Sequence, residues 1–113
     1  MTERDNLFLD HILEAIVLIE HYTSSGRDAF FNDDMIQSAV IRQLEIVGEA
    51  VRNLSDELKL RETAVQWRDI AGTRDKLIHG YFSVKLDIVW NVVVQELPSL
   101  KRNVQRTIKD ASP

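Results

Sequence analysis

The chain has 113 residues, 44% apolar and 28% charged, the balance of one globular domain spanning 1–113. Four glycines, two prolines and no cysteine exclude a disulfide framework, thiolate metal sites and cysteine nucleophiles, and disfavour a turn-dense all-β fold. The net charge of −4 is unevenly spread: residues 1–60 hold 5 basic and 12 acidic side chains, residues 61–113 hold 9 and 6. A polyanion is therefore expected at the C-terminal half, leaving the N-terminal half for protein contacts.

Apolar residues recur at helical spacing almost throughout. Phe8, Ile12, Ala15, Ile19 and Tyr22 predict a helix over about residues 4–23, after which Thr23-Ser-Ser-Gly-Arg-Asp reads as a loop. Asn32 or Asp33 then caps a second helix with the stripe Ile36, Val40, Leu44, Val47, Val51 and Leu54. Ser55 caps a short helix. A further helix is expected from Thr63, with Gln66 completing a capping box, to about His79, where Gly80 can end it. Ser83 is the expected cap of the last helix, whose stripe is Val89, Val93, Leu97, Leu100, Val104 and Ile108, and Pro98 must kink or restart it. Gly48 and Gly72, inside helices, are read as points of close backbone approach. The expectation is an all-α fold, an antiparallel bundle of four main helices plus a short one.

No apolar run approaches the roughly 18–20 residues that cross a bilayer, and Met1-Thr-Glu-Arg-Asp lacks a signal-peptide pattern, so a cytoplasmic protein without membrane contact is expected. Di-iron chemistry needs Glu-x-x-His pairs, and the positions three before His11, His21 and His79 are Phe8, Leu18 and Lys76. Glu45 and Glu49 share a helical face without a histidine, which reads as a solvated acidic surface. No phosphate-binding glycine loop, Gly-x-Ser-x-Gly elbow or metalloprotease helix occurs. Neither a metal nor a cofactor is expected.

The segment from Trp67 to Phe82 stands apart. It packs Arg68, Arg74, Lys76 and His79 beside aromatics. Asp75 and His79 are four apart, the spacing at which helical side chains meet. A carboxylate neighbour and a helix C-terminus both favour a protonated imidazole, moving its titration toward the range useful for acid–base work. Arg68 and Lys76 are candidates for binding phosphate. Spacing alone favours a helix C-terminal histidine with a salt-bridged arginine and no catalytic role.

Arg74-x-x-x-x-His79-x-Tyr81 resembles the signature of the HEPN domains, specifically the HepT-like toxin family. The resemblance covers nearly the whole chain. It extends to Asp10-His-Ile-Leu-Glu-Ala-Ile, to Ala39-Val-Ile-Arg-Gln-Leu-Glu-Ile-Val-Gly-Glu-Ala-Val, and to Leu86-Asp-Ile-Val-Trp followed by Leu97-Pro98. It implies a HEPN-like helical bundle and a metal-independent ribonuclease, the toxin of a toxin–antitoxin pair, with tRNA as a candidate target. It further implies catalytic roles for Arg74 and His79, a supporting role for Asp75, and Tyr81 as the residue AMPylated by an MntA-type nucleotidyltransferase antitoxin. One chain supplies one such His and one such Arg, so a homodimer with two motifs in one cleft is expected. The reading from another class is a non-catalytic module in which the same residues grip a nucleotide or a partner; a structural oligomerisation bundle is a third.

Overall fold

The computed structural model describes residues 1–72 and 85–111. These are helical with no strand among them: α1 (Glu3–Tyr22), α2 (Arg27–Asn32), α3 (Asp34–Arg52), α4 (Asp56–Arg61), α5 (67–72), α6 (Leu86–Asn91), a wide π-type turn (Val92–Glu96) and α7 (Leu97–Ala111). An all-α fold is thus observed. No helix among the described residues is long and apolar enough to cross a membrane.

α1 starts where Thr2 turns its hydroxyl to the Asp5 N–H, and Glu3 and Asp5 place negative charge in the first turn, where the helix dipole favours it. Its inner face is Leu9, Ile12, Ala15, Ile16 and Ile19; Phe8 and Tyr22 of the expected stripe are only half-buried against that core. α3 is capped by Asp33, whose carboxylate accepts from the N–H groups of Met35 and Ile36. Val40, Leu44, Val47 and Val51 are buried on it, Leu54 is buried just beyond its end, and Ile36 is half-buried at the first turn. The start of α1 meets the end of α3, Arg4 Nη2 donating to Asn53 Oδ1 at 2.8 Å, so the two long helices run antiparallel. α7 packs on α1, with Leu100 and Val104 buried on it, and Lys101 Nζ reaches Glu20 Oε1 at 2.9 Å.

Several expectations need correction. The presumed loop from Thr23 to Asp28 gives way at Arg27 to α2, entered through Gly26, whose φ of 96° suits glycine alone. α2 is held by the fully buried Phe30, whose ring lies 5.3 Å from that of Trp90, and by Gln37 Nε2 donating to the Phe30 carbonyl. Thr63 opens no helix: residues 63–65 form turns and bends, and α5 begins at Trp67, so no capping box forms with Gln66. The N-cap of α6 is Lys85, without a side-chain bond, rather than Ser83, which lies outside the described residues with Gly80. Among the described residues, a methyl group at Gly72 would meet no heavy atom within 4 Å, and Gly48 is buried in α3.

Pro98 neither ends the last helix nor stands in a uniform one. It lacks an N–H for the Val94 carbonyl, and its ring would strike that carbonyl in a regular α-helix. The chain widens just before it, the Leu97 N–H bonding to Val92 O, five residues back. Eight α-helical residues would leave Val89 and Leu97 about 80° apart. The wider turn takes up part of that angle, and both are buried.

Candidate functional site

The described part of the singled-out segment is its beginning. Glu62 ends α4, its N–H bonding to the Leu58 carbonyl, and its own carbonyl accepts the Trp67 indole N–H at 3.0 Å. Trp67 is 6% exposed and Val65 is buried beside the core. The link between α4 and α5 is thereby pinned by two apolar anchors and one directional bond. The Gln66 carbonyl accepts from the N–H groups of Asp69 and Ile70, which winds the first turn of α5. Arg68, the next residue after the anchor, is exposed.

Arg74, Asp75, Lys76, His79 and Tyr81 lie outside the described residues. Of the expected site, only Arg68 is placed. His11 and His21 sit on α1 among ordinary aromatic neighbours, His11 edge-on to Phe8 with ring centroids 5.5 Å apart. Among the described residues no three His, Asp or Glu side chains gather where they could hold a metal ion.

Two polar arrangements escape the sequence patterns. The Glu62 carboxylate lies between two guanidinium groups, Oε1 3.7 Å from Arg61 Nε and Oε2 3.7 Å from Arg106 Nη2. It joins α4 to α7 beside the start of α5. The other is Asp5, 2% exposed, which accepts from the backbone N–H and the hydroxyl of Ser55. Burial pushes its carboxyl up; the bonds from Ser55, with help from Thr2, outweigh burial and hold it below the ordinary aspartate value. Ser55 in turn caps α4, its Oγ accepting from the Leu58 N–H. Each depends on a partner distant in sequence or on another element, so no local pattern announces it.

An all-helical bundle whose basic C-terminal half carries Arg-x-x-x-x-His-x-Tyr has the architecture of a HEPN domain. The comparisons narrow this. A family model described as ribonuclease HepT-like matches residues 12–107, and the chain belongs to that family. It is 41% identical over 105 residues to "Gamma-glutamylcyclotransferase and putative RNase" of Methanocaldococcus jannaschii, covering 92% of this chain. The chain spans about half the length of that relative, 47%. It is 42% identical to "Probable ribonuclease HepT" of Thermococcus cleftensis, covering 90% of this chain and 94% of the relative. It is also 41% identical to "Putative RNase" of Caldanaerobacter subterraneus subsp. tengcongensis, covering 90% and 92%. No solved structure matches.

Proposed function

We propose that this protein is a metal-independent endoribonuclease, the toxin of a toxin–antitoxin pair silenced by AMPylation of Tyr81. The observation that carries the reading is the family match over residues 12–107, which spans the whole Arg74–Tyr81 motif. The relatives named as ribonucleases support the activity; the resemblance of the motif supplies the residues.

The chemistry needs no metal because RNA carries its own nucleophile. His79 takes the proton of a ribose 2′-OH, the 2′ oxygen attacks the adjacent phosphorus, and the P–O5′ bond breaks to leave a 2′,3′-cyclic phosphate. The departing 5′ oxygen takes a proton, from the second His79 of a homodimer. Arg74 holds the non-bridging oxygens through paired charge-assisted hydrogen bonds as charge builds on them. Asp75 favours the charged imidazole. Arg68 and Lys76 bind flanking phosphates, and DNA, without the 2′-OH, is not cut. tRNA is the candidate substrate, and the partner is an MntA-type nucleotidyltransferase.

The test is cleavage of RNA in excess chelator by the wild type, Arg74→Ala and His79→Ala. The wild type should cut, and each variant should lose cleavage and growth inhibition while melting as the wild type does. A variant that cuts at the wild-type rate removes that residue from catalysis. A wild type that binds RNA or a nucleotide without cutting makes the chain a binding module. Light scattering at micromolar concentration should give a dimer; a fully active monomer overturns the shared-cleft mechanism.

A further inference from the structure

α7 turns a row of cations to solvent. Arg102, Arg106 and Lys109 follow at intervals of four and three, the spacing that stacks side chains on one side of a helix, and all three are exposed. The row spans roughly 10 Å along the axis. Leu100, Val104 and Thr107 bury the opposite face, so core packing fixes the direction in which the row points. Lys101 lies off the row and is paired with Glu20.

Arg61 extends the row from α4. Glu62 holds Arg61 and Arg106 on its two carboxylate oxygens, yet the side chains of these arginines remain 47% and 48% exposed. The carboxylate therefore orders two guanidinium groups while cancelling the charge of one. No carboxylate pairs with Arg102 or Lys109 among the described residues. The exposed Asp110 offsets one further charge, so four cations face two acids on a chain of net charge −4. The surface also adjoins the start of α5, because the Glu62 carbonyl holds the Trp67 indole. Arg68 follows Trp67, and Arg74 comes six positions later in the chain.

We propose that Arg102, Arg106 and Lys109, extended by Arg61, form a track that docks the phosphate backbone of RNA through residues other than those of the Arg74–Tyr81 motif. The inference rests on the ribonuclease reading and names where its substrate is held. Arginine forks suit phosphate oxygens, and contacts to phosphate orient a nucleic acid without reading its sequence. The track supplies affinity and direction.

Binding of a short fluorescein-labelled single-stranded RNA, followed by anisotropy over a range of salt, tests this in a His79→Ala background that leaves the RNA intact. Replacing Arg102, Arg106 and Lys109 together by Gln should weaken binding about tenfold or more and flatten the slope of log affinity against log salt by about 2, near 0.7 per lost phosphate contact. Arg102→Gln and Lys109→Gln, which break no ion pair, should each show part of this loss. Glu62→Gln, which frees both arginines from the shared carboxylate, should tighten binding. With His79 intact, the triple variant should raise KM and leave kcat unchanged.

Unchanged affinity and slope in the triple variant overturn the track, as does Glu62→Gln weakening binding as much as the triple variant. A triple variant that keeps RNA but loses the nucleotidyltransferase makes the face a protein-docking surface, which also overturns it. If the wild type cuts nothing but the slope still falls, the track stands and the nuclease reading fails. If the triple variant cuts with unchanged KM, the reverse holds.

Discussion

Asp5 and Ser55, 50 positions apart, are joined by two short hydrogen bonds: the Ser55 N–H to Asp5 Oδ1 at 2.8 Å and the Ser55 hydroxyl to Oδ2 at 2.7 Å. The hydroxyl oxygen also accepts from the Leu58 N–H, so the first turn of α1 fixes the cap on which α4 starts. α4 then delivers Glu62, the Trp67 anchor and the start of α5.

Removing either member should be costly: losing Asp5 takes the acceptor from the half-buried Ser55 N–H and hydroxyl, and losing the hydroxyl takes one of the bonds that hold the buried Asp5 carboxylate. Asp5→Ala should lower stability by about 2–3 kcal/mol, within the range for charge-assisted bonds and orphaned donors. Ser55→Ala should cost about 1–2 kcal/mol through the lost cap. Urea unfolding of both and of the double variant should show the double cost falling short of the sum by more than about 0.5 kcal/mol.

The same pair sets a pH dependence. The Asp5 carboxyl titrates below its ordinary value of 3.8 in the folded chain, so the unfolded chain takes up this proton first as pH falls. The stabilisation is complete above 3.8 and is lost as pH falls toward and through the lower folded value. Acid titration followed by circular dichroism should show the wild type losing stability more steeply below that pH than Asp5→Ala. Equal slopes would count against the ionised, hydrogen-bonded carboxylate.

Trp67→Phe should keep the apolar anchor and lose only the indole bond to the Glu62 carbonyl, at about 1 kcal/mol. Trp67→Ala should cost about 3–5 kcal/mol, since it empties a buried aromatic site. The two costs, compared by denaturant unfolding, separate the directional bond from the packing.

The long helices were legible because a stripe such as Val40, Leu44, Val47 and Val51 needs many residues to establish its period, and both of their N-caps are local. Short elements held by distant contacts were not. The stretch that opens α2 reads as loop because it holds Ser24, Ser25, Gly26 and Asp28, and the helix forms because Phe30 is buried against Trp90 and Gln37 reaches back to its carbonyl. Thr63 and Gln66 had the residue types of a capping box, but the buried Trp67 beside them decides where α5 begins. Asp5 looks like any acid in a first turn, since its partner is 50 residues away. At the candidate site, Arg68 was legible as an exposed cation; the Glu62 bridge was not, because it joins α4 to α7, 44 positions along the chain.

Tyr81 carries the last expectation. Silencing by AMPylation requires the phenol oxygen to attack the α-phosphorus of ATP, giving up its proton while pyrophosphate leaves. The product bears a phosphodiester charge and an adenosine two residues after His79. On the proposed mechanism that phosphate would compete for Arg74, assigned there to the scissile phosphate, and the adenosine would occupy space the RNA requires. Tyr81→Phe keeps the ring and removes only the accepting oxygen. The variant should fold, cut RNA and inhibit growth even with the nucleotidyltransferase and ATP present, while the wild type is silenced and gains the mass of AMP units. Phosphodiesterase removal of those units should restore cleavage. An adduct on Tyr22, or a Tyr81→Phe protein silenced as fully as the wild type, would show that the switch lies elsewhere in the chain.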